Sequence, residues 1–129
     1  MQAPTDLARL SEFFDRYGVA LTTGDVAAVA GCYALPGMVV ANSYSFTFAT
    51  PAAVALSFLG AAPAYREQRI VAANAQLTDV QQLSGALMMV AVEWEYLDSG
   101  GNSVPGESYR YLLRIEADGP RITTVIAAD

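Results

Sequence analysis

Val90-Ala91-Val92-Glu93-Trp94-Glu95-Tyr96, followed beyond the loop Asp98-Ser99-Gly100-Gly101-Asn102 by Tyr109-Arg110-Tyr111-Leu112-Leu113-Arg114-Ile115, is the part of this sequence that decides the fold. Both runs alternate apolar with polar side chains, the period of a half-buried strand. A hairpin centred near Asn102 sets Glu95 opposite Arg110, Trp94 opposite Tyr111, Tyr96 opposite Tyr109 and Val92 opposite Leu113. One face then collects Val90, Val92, Trp94 and Tyr96 with Tyr109, Tyr111, Leu113 and Ile115. The other collects Glu93, Glu95, Arg110 and Arg114. The aromatic face is predicted to look inward, and the ionic face to carry cross-strand pairs worth about 0.2 to 1 kcal/mol each.

Upstream of this pair the apolar period changes to that of a helix. Leu7, Leu10, Phe14, Tyr17 and Leu21, widened by Phe13 and Ala20, predict a helix from about Thr5 to Thr22. Gly24 stops it, and Asp25 caps a short second helix carrying Val26, Val29, Cys32 and Tyr33, which Leu35-Pro36-Gly37 ends. Extended structure is expected from Met38, with a small hairpin around Asn42-Ser43 in which Tyr44, Phe46 and Phe48 alternate with polar residues. Thr50-Pro51 opens a third, buried helix with Val54, Leu56, Phe58 and Leu59, ending at Gly60. Everything after Pro63 reads as strand: Glu67 to Leu77, Ala86 to Leu97, Glu107 to Glu116 and Arg121 to Ala127, with a turn at Asp118-Gly119-Pro120. Helices first and an antiparallel meander after them define one α+β domain over residues 1–129.

Composition narrows the function classes. The 129 residues hold 13 acidic and 7 basic side chains, a net charge of −6, and the basic residues are all arginine. That balance repels phosphate and argues against nucleic acid as a partner. Histidine is absent and Cys32 is the single cysteine, so Ser-His-Asp and Cys-His nucleophile systems, histidine-ligated metals and intrachain disulfides are excluded. No cofactor is implied, and any chemistry falls to carboxylates, phenols, amides or arginine. Met1 to Asp6 lacks the basic start of a secretory signal, and the apolar segment Ala52 to Ala64 is too short to span a membrane, so a cytoplasmic location is expected. Mean hydropathy is +0.30, more apolar than a core of this size hides, which predicts a homodimer.

The stretch Arg16-Tyr17-Gly18-Val19-Ala20-Leu21-Thr22-Thr23-Gly24-Asp25, continuing to Cys32-Tyr33-Ala34, resembles the opening of the nuclear transport factor 2-like superfamily. The order of elements after it resembles that superfamily over essentially the whole chain. The resemblance implies N-terminal helices packed in the concavity of a strongly curved antiparallel sheet, a cone-shaped α+β barrel. It also implies a hollow that commonly takes up a small apolar molecule, and homodimers that pair through the outer sheet face. Members include ketosteroid isomerases, polyketide cyclases and dehydratases. Alignment with the ketosteroid isomerase-like branch puts Tyr17 on its oxyanion tyrosine and Tyr111 near its second hydrogen-bond donor. Its carboxylate base falls on Ala41, beside Asn42, and neither removes a proton. An isomerase, cyclase or dehydratase of this type therefore needs a base from elsewhere, such as Asp15.

Three expectations follow, the last being a domain that exists for association through its outer sheet face, against which a total interface below about 1,000 Å² would count. The first is a binding protein whose cavity is lined by Phe13, Tyr17, Phe58, Trp94, Tyr96, Tyr109 and Tyr111. The second is an enzyme using Tyr17 and Tyr111 as donors, with one carboxylate pointing into the cavity. Each aromatic residue also has a plain structural use, as core filling for a small curved sheet with its polar tip satisfied internally. Asp25 reads as a helix cap, Cys32 as a small buried hydrophobe, Asn102 and Asp118-Gly119-Pro120 as turn residues, and Arg66, Glu67 and Arg69 as a charged strand end near the mouth of the cone.

Overall fold

The structure, a computed structural model, describes residues 4–127. Four helices and six strands follow one another as α1 (Pro4–Thr23), α2 (Val26–Gly31), β1 (Tyr33–Val40), β2 (Ser45–Phe48), α3 (Pro51–Ser57), α4 (Ala61–Glu67), β3 (Ile70–Gln82), β4 (Leu87–Asp98), β5 (Ser103–Glu116) and β6 (Gly119–Ala127). The strands form one curved, unclosed sheet in the order β2-β1-β6-β5-β4-β3, with α1 packed against β3 and β6. This is an α+β fold. Every neighbouring pair is antiparallel except β1 and β6, which run parallel and correct the expectation of a purely antiparallel meander.

The local start signals act as the residue chemistry requires. Asp25 Oδ1 accepts from the Ala28 amide at 3.1 Å, and Thr50 Oγ1 accepts from the Ala53 amide at 3.1 Å with Pro51 in the first turn. Each side chain satisfies a donor that a helix start leaves orphaned. Gly18, in the middle of α1, permits the close approach of helix to sheet: a methyl there would sit 2.9 Å from the Ala73 carbonyl oxygen and 3.1 Å from Trp94 Cζ3.

Several element boundaries differ from expectation. Helix α2 ends at Gly31, and strand β1 starts at Tyr33 rather than Met38, because Tyr33 pairs with Ile122 of β6 and the Ile122 amide donates to the Cys32 carbonyl at 2.8 Å. Pro63 lies inside a helix, α4, so Arg66 and Glu67 are helical and the long strand starts at Ile70. Helix α3 buries Val54 alone among its large residues; Leu56 and Leu59 are exposed. Ile115 is exposed as well, near the end of β5.

The aromatic hairpin keeps its predicted faces but not its predicted register. Arg110 lies opposite Ala91 instead of Glu95, Tyr109 opposite Val92 instead of Tyr96, and Tyr111 opposite Val90 instead of Trp94. The cause is a bulge. Glu93 pairs with Ser108 and Glu95 with Pro105, so Gly106 and Glu107 together lie opposite Trp94. A side chain at Gly106 would run into the Trp94 carbonyl, which leaves the position to glycine. The displacement is even, so Trp94, Tyr96 and Tyr111 still face inward and are buried, while Glu93, Arg110 and Arg114 stay outside. The expected Glu95–Arg110 pair does not form; Glu95 Oε2 accepts from Ser103 Oγ at 2.7 Å.

Candidate functional site

The concavity of the sheet and the helices over it enclose a cavity of about 240 Å³. Each wall comes from a separate element. Helix α1 contributes Tyr17, the first residue of β1 contributes Tyr33, and α4 contributes Tyr65. Inward alternation contributes Trp94 and Tyr96 from β4 with Tyr109 and Tyr111 from β5. The β2 hairpin supplies Tyr44, Phe46 and Phe48, and Phe58 closes the end of α3.

Polar atoms within this aromatic wall are arranged in pairs. The Tyr17 and Tyr33 hydroxyls lie 2.7 Å apart, both side chains buried. Trp94 Nε1–H donates to the Tyr111 hydroxyl at 2.9 Å, and Tyr96 donates to Glu107 Oε1 at 2.9 Å. The rings hold one another as well: Tyr17 meets Tyr111 edge to face with centroids 6.1 Å apart, and Tyr65 meets Tyr96 likewise at 5.4 Å. In the Tyr17–Tyr33 pair one hydroxyl donates to the other, and the acceptor keeps its own proton for a third group. Tyr111, accepting from Trp94, likewise retains its proton as a donor.

Burial holds these phenols neutral. It raises Tyr17 and Tyr111 well above the ordinary tyrosine value of 10.0, with the neighbouring phenols Tyr33 and Tyr111 adding to the effect on Tyr17. Tyr33 and Tyr96 are also raised, again chiefly by burial; for Tyr96 the neighbouring Tyr65 hydroxyl and Glu107 carboxylate push the same way. At neutral pH the wall therefore offers O–H donors and no phenolate. Among the described residues Glu107 is the one charged side chain lining the cavity. The Cys32 thiol is buried, and burial pushes its pKa up.

Six of the expected lining residues meet here: Tyr17, Phe58, Trp94, Tyr96, Tyr109 and Tyr111. Phe13 does not; it is buried one turn earlier on α1, stacked parallel to Tyr17 at 6.5 Å between centroids. Asp15, the carboxylate expected to act as base, lies on the exposed face of α1 and lines no part of the cavity. Its place between Phe14 and Arg16 points it away from the stripe that packs inward. Ala41 and Asn42 are also outside the lining. Glu107, Tyr33 and Tyr65 were not expected there. A signal for Glu107 was present, since it shares the odd-numbered parity of Tyr109 and Tyr111; Tyr33 and Tyr65 were hidden by misplaced helix boundaries.

Residues 7–129 match the family model described as "NTF2-like protein (DUF6841)". The chain belongs to this NTF2-like family. No curated protein matches it significantly. Solved structures similar to it include an NTF2-like protein with a cystatin-like fold from Novosphingobium aromaticivorans (16% identity, TM-score 0.67, covering 95% of this chain and 80% of that one). An NTF-2 like protein of unknown function from Shewanella oneidensis MR-1 is similar at 17% identity and TM-score 0.69, covering 98% of this chain and all of the other. A ketosteroid isomerase-like protein from Erwinia carotovora atroseptica is similar at 18% identity and TM-score 0.63, with 96% and 95% covered. At such identities the likeness carries the NTF2-like fold and not the chemistry. Among the described residues no helix is long and apolar enough to cross a membrane, and no group of three or more acidic or cysteine side chains is placed to hold a metal ion.

Proposed function

We propose that this NTF2-like domain binds a small, largely apolar molecule bearing a hydrogen-bond acceptor. The observation that carries the reading is the 240 Å³ cavity whose aromatic wall is broken by phenol donors held neutral. Ligand sites are concave, mostly apolar, and carry a few placed polar groups. The volume lies just under the roughly 300 to 1,000 Å³ of sites for drug-sized molecules, so a single substituted ring fits better than a fused four-ring skeleton. Trp94, the sole tryptophan, sits in the wall and reports occupancy directly. Acetophenone, a ring with one carbonyl acceptor, is expected to quench Trp94 fluorescence saturably in the wild type and not in Ala73→Phe, whose larger side chain fills part of the cavity. Equal quenching of both proteins would refute the reading.

A second reading rests on Glu107. One carboxylate and the donors Tyr17 and Tyr111 on the same cavity are the groups that an isomerase, cyclase or dehydratase of the ketosteroid isomerase-like type requires, with Glu107 in the role first assigned to Asp15. Its test is solvent deuterium exchange at the acidic carbon of a bound ketone, which Glu107→Gln should abolish. Exchange at the uncatalysed rate in the wild type would exclude it. We further propose that the chain is a cytoplasmic homodimer joined through its outer sheet face, which sedimentation of the purified protein tests.

A further inference from the structure

Building on the cavity-binding reading, we infer that the ligand class is cationic: a small aromatic or alkyl amine whose apolar body fills the cavity and whose ammonium group is held at the Glu107 carboxylate. Three observations converge on this. The wall is aromatic on several sides, with Tyr17, Tyr33, Tyr65, Trp94, Tyr96 and Tyr109 presenting rings or hydroxyls inward. Ring faces attract ammonium groups, and sites that hold quaternary or alkyl ammonium ions are built from such rings. Among the described residues the only charge on the lining is negative. Glu107 is held in place by the Tyr96 hydroxyl on Oε1, which leaves Oε2 to take a second donor, and it lies on the cavity side of β5 at the bulge.

The third observation concerns what the lining lacks. The chain has seven arginines, yet none lines this cavity among the described residues. A site selecting a carboxylate or phosphate would be expected to offer a guanidinium fork or an equivalent cation. Here an anion would meet Glu107 and the −6 field of the whole chain. A shallow groove lined by Ala61, Ala64, Tyr65, Gln68 and Gly106 adjoins the same Glu107, Tyr96 and Tyr109, so the carboxylate stands where cavity and solvent meet. An ammonium group there keeps part of its hydration while the ring enters the apolar interior.

The experiment compares three probes of nearly one shape, 2-phenylethylamine, 2-phenylethanol and phenylacetate, by Trp94 fluorescence titration at pH 7. The amine should bind roughly tenfold more tightly than the alcohol, and phenylacetate more weakly than either. In Glu107→Gln the amine-to-alcohol ratio should fall to near one; in Glu93→Gln, which removes an equal charge from the outer face, it should persist. Equal binding of amine and alcohol by the wild type, or a preference for phenylacetate, overturns the cationic assignment while the cavity-binding reading stands. A ratio unchanged by Glu107→Gln overturns it too. Absence of a saturable response to any of the three, together with none to acetophenone, overturns both.

Discussion

The buried Tyr17–Tyr33 hydroxyl pair makes a quantitative prediction about how the cavity wall is held together. The oxygens are 2.7 Å apart and the two residues are only 3% and 5% exposed. Tyr17→Phe or Tyr33→Phe alone removes one partner and leaves the other hydroxyl away from bulk water, a loss of about 1 to 3 kcal/mol. Both residues line a cavity roomy enough for a water molecule, which re-satisfies part of that loss and selects the lower half of the range, about 1 to 2 kcal/mol. For a chain of this length that is a fall in Tm of roughly 3 to 8 °C. The double variant removes donor and acceptor together and leaves no orphan, so it should be no less stable than either single variant. The expected coupling energy is therefore about 1 to 2 kcal/mol, read from urea denaturation of the four proteins followed by circular dichroism. Additive losses in the double variant would refute the claim that these hydroxyls depend on each other.

Three further outcomes are expected. Gly18→Ala should destabilise by about 1 to 3 kcal/mol despite the better helix propensity of alanine, because the new methyl meets the Ala73 backbone carbonyl; unchanged or raised Tm would contradict the close packing of α1 on β3. Thr50→Ala should lower stability by about 1 kcal/mol through loss of the cap on the Ala53 amide, whereas Thr50→Ser should retain most of it, as thermal denaturation can compare. Alkaline pH should unfold the protein in a definite direction. Tyr17, Tyr33, Tyr96 and Tyr111 are raised in the folded state above the 10.0 of the unfolded chain, so their contribution is complete below pH 10 and declines as pH rises beyond it. Each phenol contributes a slope of up to about 1.4 kcal/mol per pH unit, since the unfolded chain releases a proton that the folded chain retains. Absorbance at 295 nm should show these phenols ionising together with the loss of circular dichroism; their ionisation in a still-folded protein would contradict the burial argument.

Much of the architecture was legible before any coordinates because its signals are local. Asp25 and Thr50-Pro51 announce helix starts through side-chain oxygens that reach amides three residues on, and both do so in the structure. The alternation from Val90 to Tyr96 and from Tyr109 to Leu113 assigns each side chain to a face whatever its partner strand, since a strand has period two. For that reason the inward facing of Trp94, Tyr96 and Tyr111 was anticipated while their register was not.

Register, strand partnership and helix ends depend on contacts that no short window of sequence contains. Whether Cys32-Tyr33-Ala34 continues a helix or starts a strand is settled by β6, some ninety residues later, through the Ile122 amide on the Cys32 carbonyl. The bulge opposite Trp94 belongs to the pairing of β4 with β5, and Glu107 within it meets Tyr96. Local chemistry thus determined which residues face inward; only the folded sheet decided which of them meet, because meeting is a property of paired strands and facing is a property of one.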